Sequence, residues 1–499
     1  MDRRQGNQKV HQKLNPNELR RNPQLIFPTY PNHHTFMVSR KTIFSIPVFI
    51  LLSGCASFYQ LNYEFNKNFE QGNIEEAANI LDQNKKAAKS KTRFLYYANQ
   101  GVVEHLLGNY QESNKWLEQA YLFGEDYHKN YLNFAASYFL NPNLIVYPGE
   151  DHEHLILLYY KALNFLKMGD YDAALVECRR LNQRLYELGD KYLSENKYQK
   201  DAFIQNLMGI IYDASGDYNN AFIAYRNSLE IYQNEFSEMF GLSAPEQLKK
   251  DLLRTASLAG FPEELDKFSE ELGMEYKPLP PTSGGELVFF WHNGLSPVKD
   301  EWSINFVAAK GDGGQIFFQN EEYGLNFPFY YDTSEDGNAS ITDLTGTRVA
   351  FPKYVEREPF FQYASLEIDN YYYPLEKAED INAIAFKTLR ERMLEELGKG
   401  LLRVAIKKTV EKQVRKEDET LGFLVGLVNF ASEQADTRNW QTMPHSIHYS
   451  RVPLEEGENE ITLHTEGPRG ENSQTFTFMG EKGKTQFQTY QSLESKSTL

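Results

Sequence analysis

Four stretches of the chain share one pattern: GNIEEAANIL from Gly72, GNYQESNKWL from Gly108, GDYDAALVEC from Gly169 and GDYNNAFIAY from Gly216. Each follows an apolar helical run, such as FLYYANQGVVEHLL or DAFIQNLMGIIYDAS. The pattern reads as a helical hairpin. Glycine ends the first helix in the left-handed region, which a residue without Cβ enters without steric cost. The Asn or Asp that follows offers its side-chain oxygen to the first amides of the second helix. Small residues five positions after each turn glycine (Ala77, Ser113, Ala174, Ala221) let the two helices approach. Gly101 and Gly209, seven before their turns, do the same from the first helix. Glycine inside a helix costs about 1 kcal/mol relative to Ala, so its recurrence marks close packing. Such hairpins bury their apolar faces only by stacking on neighbours.

The small residue of the first helix, the Gly-Asn/Asp-Tyr turn and the Ala of the second helix resemble the tetratricopeptide repeat. The turn glycines lie 36, 61 and 47 residues apart, so longer helices and loops, including NPNLIVYPGEDHEH, separate the units. Residues 55–275 are therefore expected to form an α-solenoid, with FPEELDKFSEELG as a closing helix. YKPLPPTSGG breaks every helical pattern and sets a linker at 276–284. Beyond it, GELVFFWHNG, SINFVAA, GQIFFQN, TRVAFPKY and YASLEIDNYYY have strand character punctuated by Gly, Asp and Asn. A helical stretch runs over about 378–435, and strand-like runs return at MPHSIHYSRVPL, NEITLHT and SQTFTFMG. The expected fold class is α+β and multidomain: the solenoid, then a β-sandwich-like domain at 285–490 carrying a helical insertion, then a tail at 491–499.

The net charge of −17 is unevenly placed, since the first 54 residues carry eight Lys/Arg and two Asp/Glu. The remainder is strongly acidic and lacks the basic face that nucleic-acid binding requires. Only two cysteines are present, too few for a disulfide-stapled secreted domain. Cys178, in AALVECRRL, reads as a buried helical thiol. Cys55 differs because of what precedes it: Arg40 and Lys41, then an apolar run of about a dozen residues, then Leu52, Ser53 and Gly54. A basic segment, a short apolar core and small residues at a cleavage point make a signal peptide. The run falls short of the roughly 20 residues that span a bilayer. Leu52-Ser53-Gly54-Cys55 resembles the lipobox of bacterial lipoproteins, in which the Cys thiol takes a diacylglyceryl group and becomes the mature N-terminus. Translation from Met37 gives a signal peptide at 37–54 and leaves 1–36 as a non-native or disordered extension. Ala56 after the cysteine, by resemblance to the sorting rule of many two-membrane bacteria, favours the outer membrane, with the periplasmic face expected and surface exposure as the alternative.

Longer stretches are similar to a family of uncharacterised bacterial outer-membrane lipoproteins with N-terminal tetratricopeptide-like repeats. They are YYKALNFLKMGDYDAALVECRRLNQRL, YQKDAFIQNLMGIIYDASGDYNNAFIAYRNSLEIY, GELVFFWHNGLSP and QADTRNWQTMPHSIHYSRVPL, together with the lipobox. The resemblance spans nearly the whole mature chain. It implies an envelope lipoprotein and supplies no catalytic residue.

Other constellations point to packing more than chemistry. His152 and His154 flank Glu153 in DHEHLILLYY, but an i,i+2 pair diverges on a helix and lacks a third ligand at metal spacing. Glu177, Arg179 and Arg180 in ECRRL read first as an inter-repeat ion pair and second as a carboxylate or phosphate contact. In ADTRNW, Asp436 and Arg438 pair and Trp440 anchors the helical insertion on the sheet, with a binding site as the alternative. GDGGQ at 311 has no following helix and no phosphate-binding Lys, and the apolar LGFLVGLVNF at 421–430 reads as core or as a membrane-surface element. No nucleophile elbow occurs, so the expectation is a protein without enzymatic activity, metal or cofactor. It would bind the membrane through lipid and unidentified envelope proteins through the solenoid, with self-assembly through the C-terminal domain as an addition. The alternative is a receptor for a glycan or peptidoglycan fragment that uses exposed rings such as Tyr371–Tyr373.

Overall fold

The computed structural model describes residues 62–131, 145–191, 198–276, 283–310, 315–320, 325–330, 347–393, 400–401 and 434–493. Cys55 and its flanks, the linker at 277–282, GDGGQ up to Gly314 and the stretch 402–433 lie outside the described residues. The chain divides into two compact units. The larger includes Ala56–Glu301, Pro352–Glu396 and Ala435–Leu499, and the smaller includes Trp302–Phe351.

Among the described residues of the larger unit, ten helices run as pairs: α1 (Tyr63–Glu70), α2 (Ile74–Gln83), α3 (Arg93–Leu106), α4 (Tyr110–Tyr131), α5 (Asp151–Lys167), α6 (Tyr171–Lys191), α7 (Ala202–Ala214), α8 (Tyr218–Ile231), α9 (Glu246–Leu258) and α10 (Pro262–Leu272). The four turn glycines take φ values of 76°, 80°, 74° and 79°, the left-handed conformation the repeats call for. Ala77, Ser113, Ala174 and Ala221 are each completely buried between paired helices. A Cβ on Gly101 would stand 2.4 Å from Leu117 Cδ2, and one on Gly209 2.4 Å from the Tyr225 ring. The capping expectation holds where the turn residue is Asp: Asp170 accepts from the Ala173 amide (3.0 Å) and Asp217 from the Asn220 amide (3.2 Å). It fails at Asn73, which caps nothing. Asn109 instead turns its side-chain amide to the Glu104 carboxylate (2.8 Å). The N-terminal part is thus an array of tetratricopeptide-like hairpins.

The β-rich part of this unit contains two sheets. The first has the order β12-β1-β9-β8, formed by β1 (Glu286–Asn293), β8 (Glu376–Asp380), β9 (Ser446–Pro453) and β12 (Thr485–Ser492). The second is antiparallel with the order β11-β10-β6-β7, from β6 (Tyr363–Ile368), β7 (Tyr371–Pro374), β10 (Gly457–Gly467) and β11 (Gly470–Gly480). β1 runs parallel to β12 and antiparallel to β9, and seven of its eight residues are buried. An unbroken apolar strand is the signature of burial on both faces. Val288 and Phe290 join the core of the helices, while Leu287, Phe289 and Trp291 join Leu366, Ile368, Val452, Ile461 and Leu463 against the second sheet. The unit therefore has three layers, with the first sheet sandwiched between the helices and the second sheet.

The sequence places residues 55–275 and 285–490 in separate domains. In the structure the helices and the first sheet share one core. Helix α5 shows why: every residue but Phe165 and Lys167 is buried, including Lys161 and Asn164, and a helix buried all round must be covered on all sides. Tyr159, Tyr160, Phe203 and Tyr232 pack in a cluster with Val288, Phe290, Trp440, Ile447, Tyr449 and Phe487. A further helix, α11 (381–393), is the described beginning of the expected insertion.

The smaller unit is a four-stranded sheet of order β4-β3-β2-β5, from β2 (Val298–Lys310), β3 (Gln315–Asn320), β4 (Leu325–Tyr330) and β5 (Thr347–Val355). Ring pairs Trp302–Phe351 (5.9 Å) and Phe306–Phe327 (6.1 Å) pack within it. The strand ends Val298–Glu301 and Pro352–Val355 belong to the larger unit.

Candidate functional site

The densest polar constellation forms where α5 begins, and it joins the two motifs DHEH and ADTRNW, which lie almost 300 residues apart. Glu150 and Glu153 make a reciprocal capping box at the α5 N-terminus. Glu153 also accepts from the Trp440 amide (2.6 Å), the Tyr147 hydroxyl (2.8 Å) and the Glu150 amide (2.9 Å). Burial first, and then the neighbouring Glu150 carboxylate, push its pKa up to about 7 against those donors. At Glu150 burial pushes the same way, but Arg392 of α11 and Lys299 of β2 both pair with it and outweigh burial, holding it at about 2. His152 reaches Thr388 of α11 (3.4 Å) and Tyr354 of β5 (3.5 Å), and burial lowers its pKa to about 4. His154 packs against Phe94 with the rings tilted by 49° (centres 4.9 Å apart), and its Nε2 lies 3.0 Å from the Pro148 carbonyl. The two histidines diverge, and among the described residues no group of His, Cys, Asp and Glu could hold a metal ion.

The ADTRNW segment acts as a wedge. Arg438 grips Asp436 with Nε (2.8 Å) and Nη2 (2.7 Å), donates from Nη1 to the Ile145 carbonyl (2.9 Å) and lies 5.2 Å from the Tyr147 ring centre. Trp440 is wholly buried, 6.2 Å from the Tyr160 ring, with its indole N–H on Thr442 Oγ1 (2.7 Å). Thr442 donates to Asn99 of α3 (3.0 Å), and Asn66 of α1 donates to Gln441 (2.8 Å). Trp440 was expected to seat the helical insertion on the sheet. It seats the segment leading into β9 on the helices instead.

A second cluster ties β9 to the helices. Arg451 is buried, with Nη2 on Asp213 of α7 (2.9 Å) and on the Tyr225 hydroxyl (3.1 Å), Nε on Asp251 of α9 (3.0 Å) and Nη1 on Glu286 of β1. Arg254 pairs with Asp213 and Asp251. Burial opposes ionisation of Asp213, but Arg451 and Arg254 hold its pKa below the usual range.

The third cluster lies beside a cavity of about 10 Å³, space for roughly one water. Its lining includes His152, Tyr159, Tyr198, Asp201, Glu379 and Ile447. Asp201 accepts from the Tyr198 hydroxyl (2.6 Å) and the Ile204 amide (2.8 Å). Burial and the adjacent Asp201 push Glu379 well above the carboxylate range.

Glu177, Arg179 and Arg180 lie on α6. Buried Lys161 of α5 joins Glu177 (2.9 Å) and Glu118 of α4, and Arg180 reaches both carboxylates at 3.3 Å, which makes the group an ion network between repeats. Arg179 is exposed. Burial raises the Cys178 thiol, as expected of a packing cysteine. Of the candidate residues, the structure joins Asp436, Arg438 and Trp440 to the DHEH segment and leaves Glu177 and Arg180 in a separate network. Lys299, Tyr354, Glu379 and Arg451 were missed by sequence reasoning. Only Arg451 had a signal, since Ile447, Tyr449 and Arg451 alternate onto one face of β9, where a charge needs a buried partner.

No protein-family model matches the chain, and no curated protein matches it in sequence. Among solved structures it is similar to BtubC (BKLC) from P. vanneervenii at 15% identity, over 45% of this chain and 84% of that one, with a TM-score of 0.30. A putative kinesin light chain with nearly identical TPR-like repeats from Podosopora anserina is 15% identical over 43% of this chain and 93% of that one, with a TM-score of 0.28. MamA AMB-1 is 13% identical over 43% and 91%, with a TM-score of 0.26. Superpositions this loose leave the repeat assignment to rest on the chain's own turns and buried small residues.

Proposed function

We propose that this protein is a protein-interaction scaffold held at an envelope membrane by a lipid on Cys55. The observation that supports the scaffold reading most is that the charges buried at the start of α5 and around Arg451 are paired with one another. Lys299 and Arg392 pair with Glu150, Arg451 joins helices to strands through Asp213, Asp251 and Glu286, and the third cluster sets Asp201 beside Glu379 at a cavity with room for about one water. Charges paired in this way lock a body together, and a cavity of that size leaves no reacting atom room to approach. The array's partner surface is then not the face of the helices that carries Tyr159, Tyr160 and Phe203, because the chain's own first sheet fills it. Partners meet the outward sides of the helices and the second sheet. The anchoring reading rests on the basic segment, the short apolar run and Leu52-Ser53-Gly54-Cys55. Among the described residues no helix is long and apolar enough to cross a membrane. Several acyl chains on one cysteine, at about 0.8 kcal/mol per buried CH₂, would hold the protein firmly. The test is metabolic labelling with a palmitate analogue: wild type should label and Cys55→Ser should not. Equal labelling of the two would remove the anchoring reading. Failure to cross-link to any second protein from either outward surface would remove the scaffold reading.

A further inference from the structure

The second sheet carries a charge pattern that packing does not require. Its four strands contain five glutamates and no Lys or Arg, and all five glutamates take the outward register. On β10 the burial alternates strictly, with Glu458, Glu460 and Glu466 exposed and Asn459, Ile461, Leu463 and Thr465 buried. Glu466 faces Glu471 directly across β10 and β11, an arrangement of like charges that destabilises a sheet. Glu367 is the exception, since His464 lies 2.6 Å from it. On the same face, Tyr363 is 70% exposed and open to a cation over its ring, while Tyr372, 62% exposed, lies 6.1 Å from the His464 ring.

The edge of this sheet is the second observation. β11 runs eleven residues in unbroken register with β10 and pairs with no other strand among the described residues. Native edge strands are normally blunted by Lys, Pro, a bulge or short length. GENSQTFTFMG has none of these, and beyond its pairing with β10 its backbone is held by side chains: Gln486 donates to the Met479 carbonyl (2.7 Å), Gln474 to the Thr475 carbonyl (3.2 Å), and the Ser473 amide to Asn472 Oδ1 (2.9 Å). An edge that no strand covers, where exchangeable side-chain bonds hold the backbone, recruits an extended segment, and the adjoining face then selects that segment by charge.

From these features we infer that the β11 edge and the outward face of the second sheet dock an extended, Lys/Arg-rich segment of another protein. Charge decides among the occupants. A second copy of this chain, at net −17, would bring glutamates against glutamates. Anionic lipid, peptidoglycan peptides and nucleic acid are repelled for the same reason. The inference rests on the scaffold reading and names the chemistry of one partner.

The test measures binding of fluorescent twelve-residue peptides to the purified full chain by anisotropy. One peptide alternates Lys and Val, one alternates Glu and Val, and one is the Lys peptide interrupted by Pro. The Lys peptide should bind, the other two should not, and binding should weaken as salt rises from about 50 to about 500 mM. The triple variant Glu458→Gln, Glu460→Gln, Glu466→Gln should bind about tenfold to a hundredfold more weakly, the loss expected for three exposed ion pairs. Its melting temperature should not fall, because it removes a like-charge pair. Equal binding of Lys and Glu peptides, or an unchanged Kd in the triple variant, would overturn the inference. So would retention on purified peptidoglycan that Tyr363→Ala and Tyr372→Ala abolish, which would give the face to a glycan. If the peptides fail while a partner cross-links to the outward side of the helices, the scaffold reading survives and this docking site does not.

Discussion

Replacing Arg451 with Met tests how the sheet is fastened to the helices. The guanidinium is 7% exposed and engages Asp213, Asp251 and Glu286, whose side chains are 2%, 1% and 25% exposed. Met fills similar volume but leaves Asp213 and Asp251 to Arg254 and Glu286 to the Thr485 hydroxyl. Breaking a buried pair by removing one partner costs about 3–5 kcal/mol, mostly from the stranded charge. Arg451→Lys keeps the charge but loses the fork that reaches three acids from separate nitrogens, so about 2 kcal/mol is expected. The pH dependence carries a sign. In the wild type, Arg451 and Arg254 hold Asp213 below its ordinary pKa, so its contribution is present above pH 4 and lost as pH falls further. Without Arg451 that pKa rises, and the penalty should be larger at pH 8 than at pH 4.5. Urea unfolding followed by both far-UV dichroism and tryptophan fluorescence reports the helices and, through Trp291 of β1, the first sheet, with Trp116, Trp302 and Trp440 adding to the fluorescence. A loss below about 1 kcal/mol would refute the reasoning, as would a penalty that grows on acidification.

Further tests address single contacts. Gly209→Ala should destabilise by about 1–3 kcal/mol despite the better helix propensity of Ala, because the new Cβ meets the Tyr225 ring; a higher melting temperature would contradict this close approach. Gly216→Ala meets no atom, yet φ is 79°, so backbone strain alone should cost about 1 kcal/mol. Burial lowers His105 and His152 to about 4 and His292 and His448 to about 3. Their stabilisation is complete above the unfolded pKa of about 6.5 and is lost as pH falls, at about 1 kcal/mol each between pH 6.5 and 5.5. Glu153 and Glu379, with raised pKa values, act in the opposite direction. His448→Gln should therefore remove about 1 kcal/mol of the stability change between those two pH values, and an identical change in variant and wild type would count against a buried neutral imidazole. Trp440→Ala should cost about 3–5 kcal/mol in chemical denaturation, since the side chain is wholly enclosed; a loss within 1 kcal/mol would mean the wedge is not seated.

The hairpins were legible because their signals are local. Turn glycine, small residues and helical periodicity all fall within about twenty residues of one another, and each found its expected place in the fold. The strands were legible for the same reason, and LVFFW even signals burial on both faces. What the sequence concealed was the covering of α5. An apolar helix in a repeat array reads the same whether it meets another repeat or a sheet more than a hundred residues away. The polar clusters were hidden for a related reason. Lys299 and Glu150, or Arg451 and Asp213, meet only through tertiary packing, and a single charge has no period to read. DHEH and ADTRNW drew notice as separate motifs, but nothing in either one names the other.

The central claim is that the helices and the first sheet form one cooperative body around α5. Native-state hydrogen exchange on the full chain tests it most directly. Amides of Leu155–Leu166 in α5 and of Leu287–Trp291 in β1 should share one opening free energy, close to that of global unfolding, and Arg451→Met should lower both equally. Strand amides that open several kcal/mol more easily while α5 stays protected would show a free-standing solenoid with a separable sheet, and would contradict the claim.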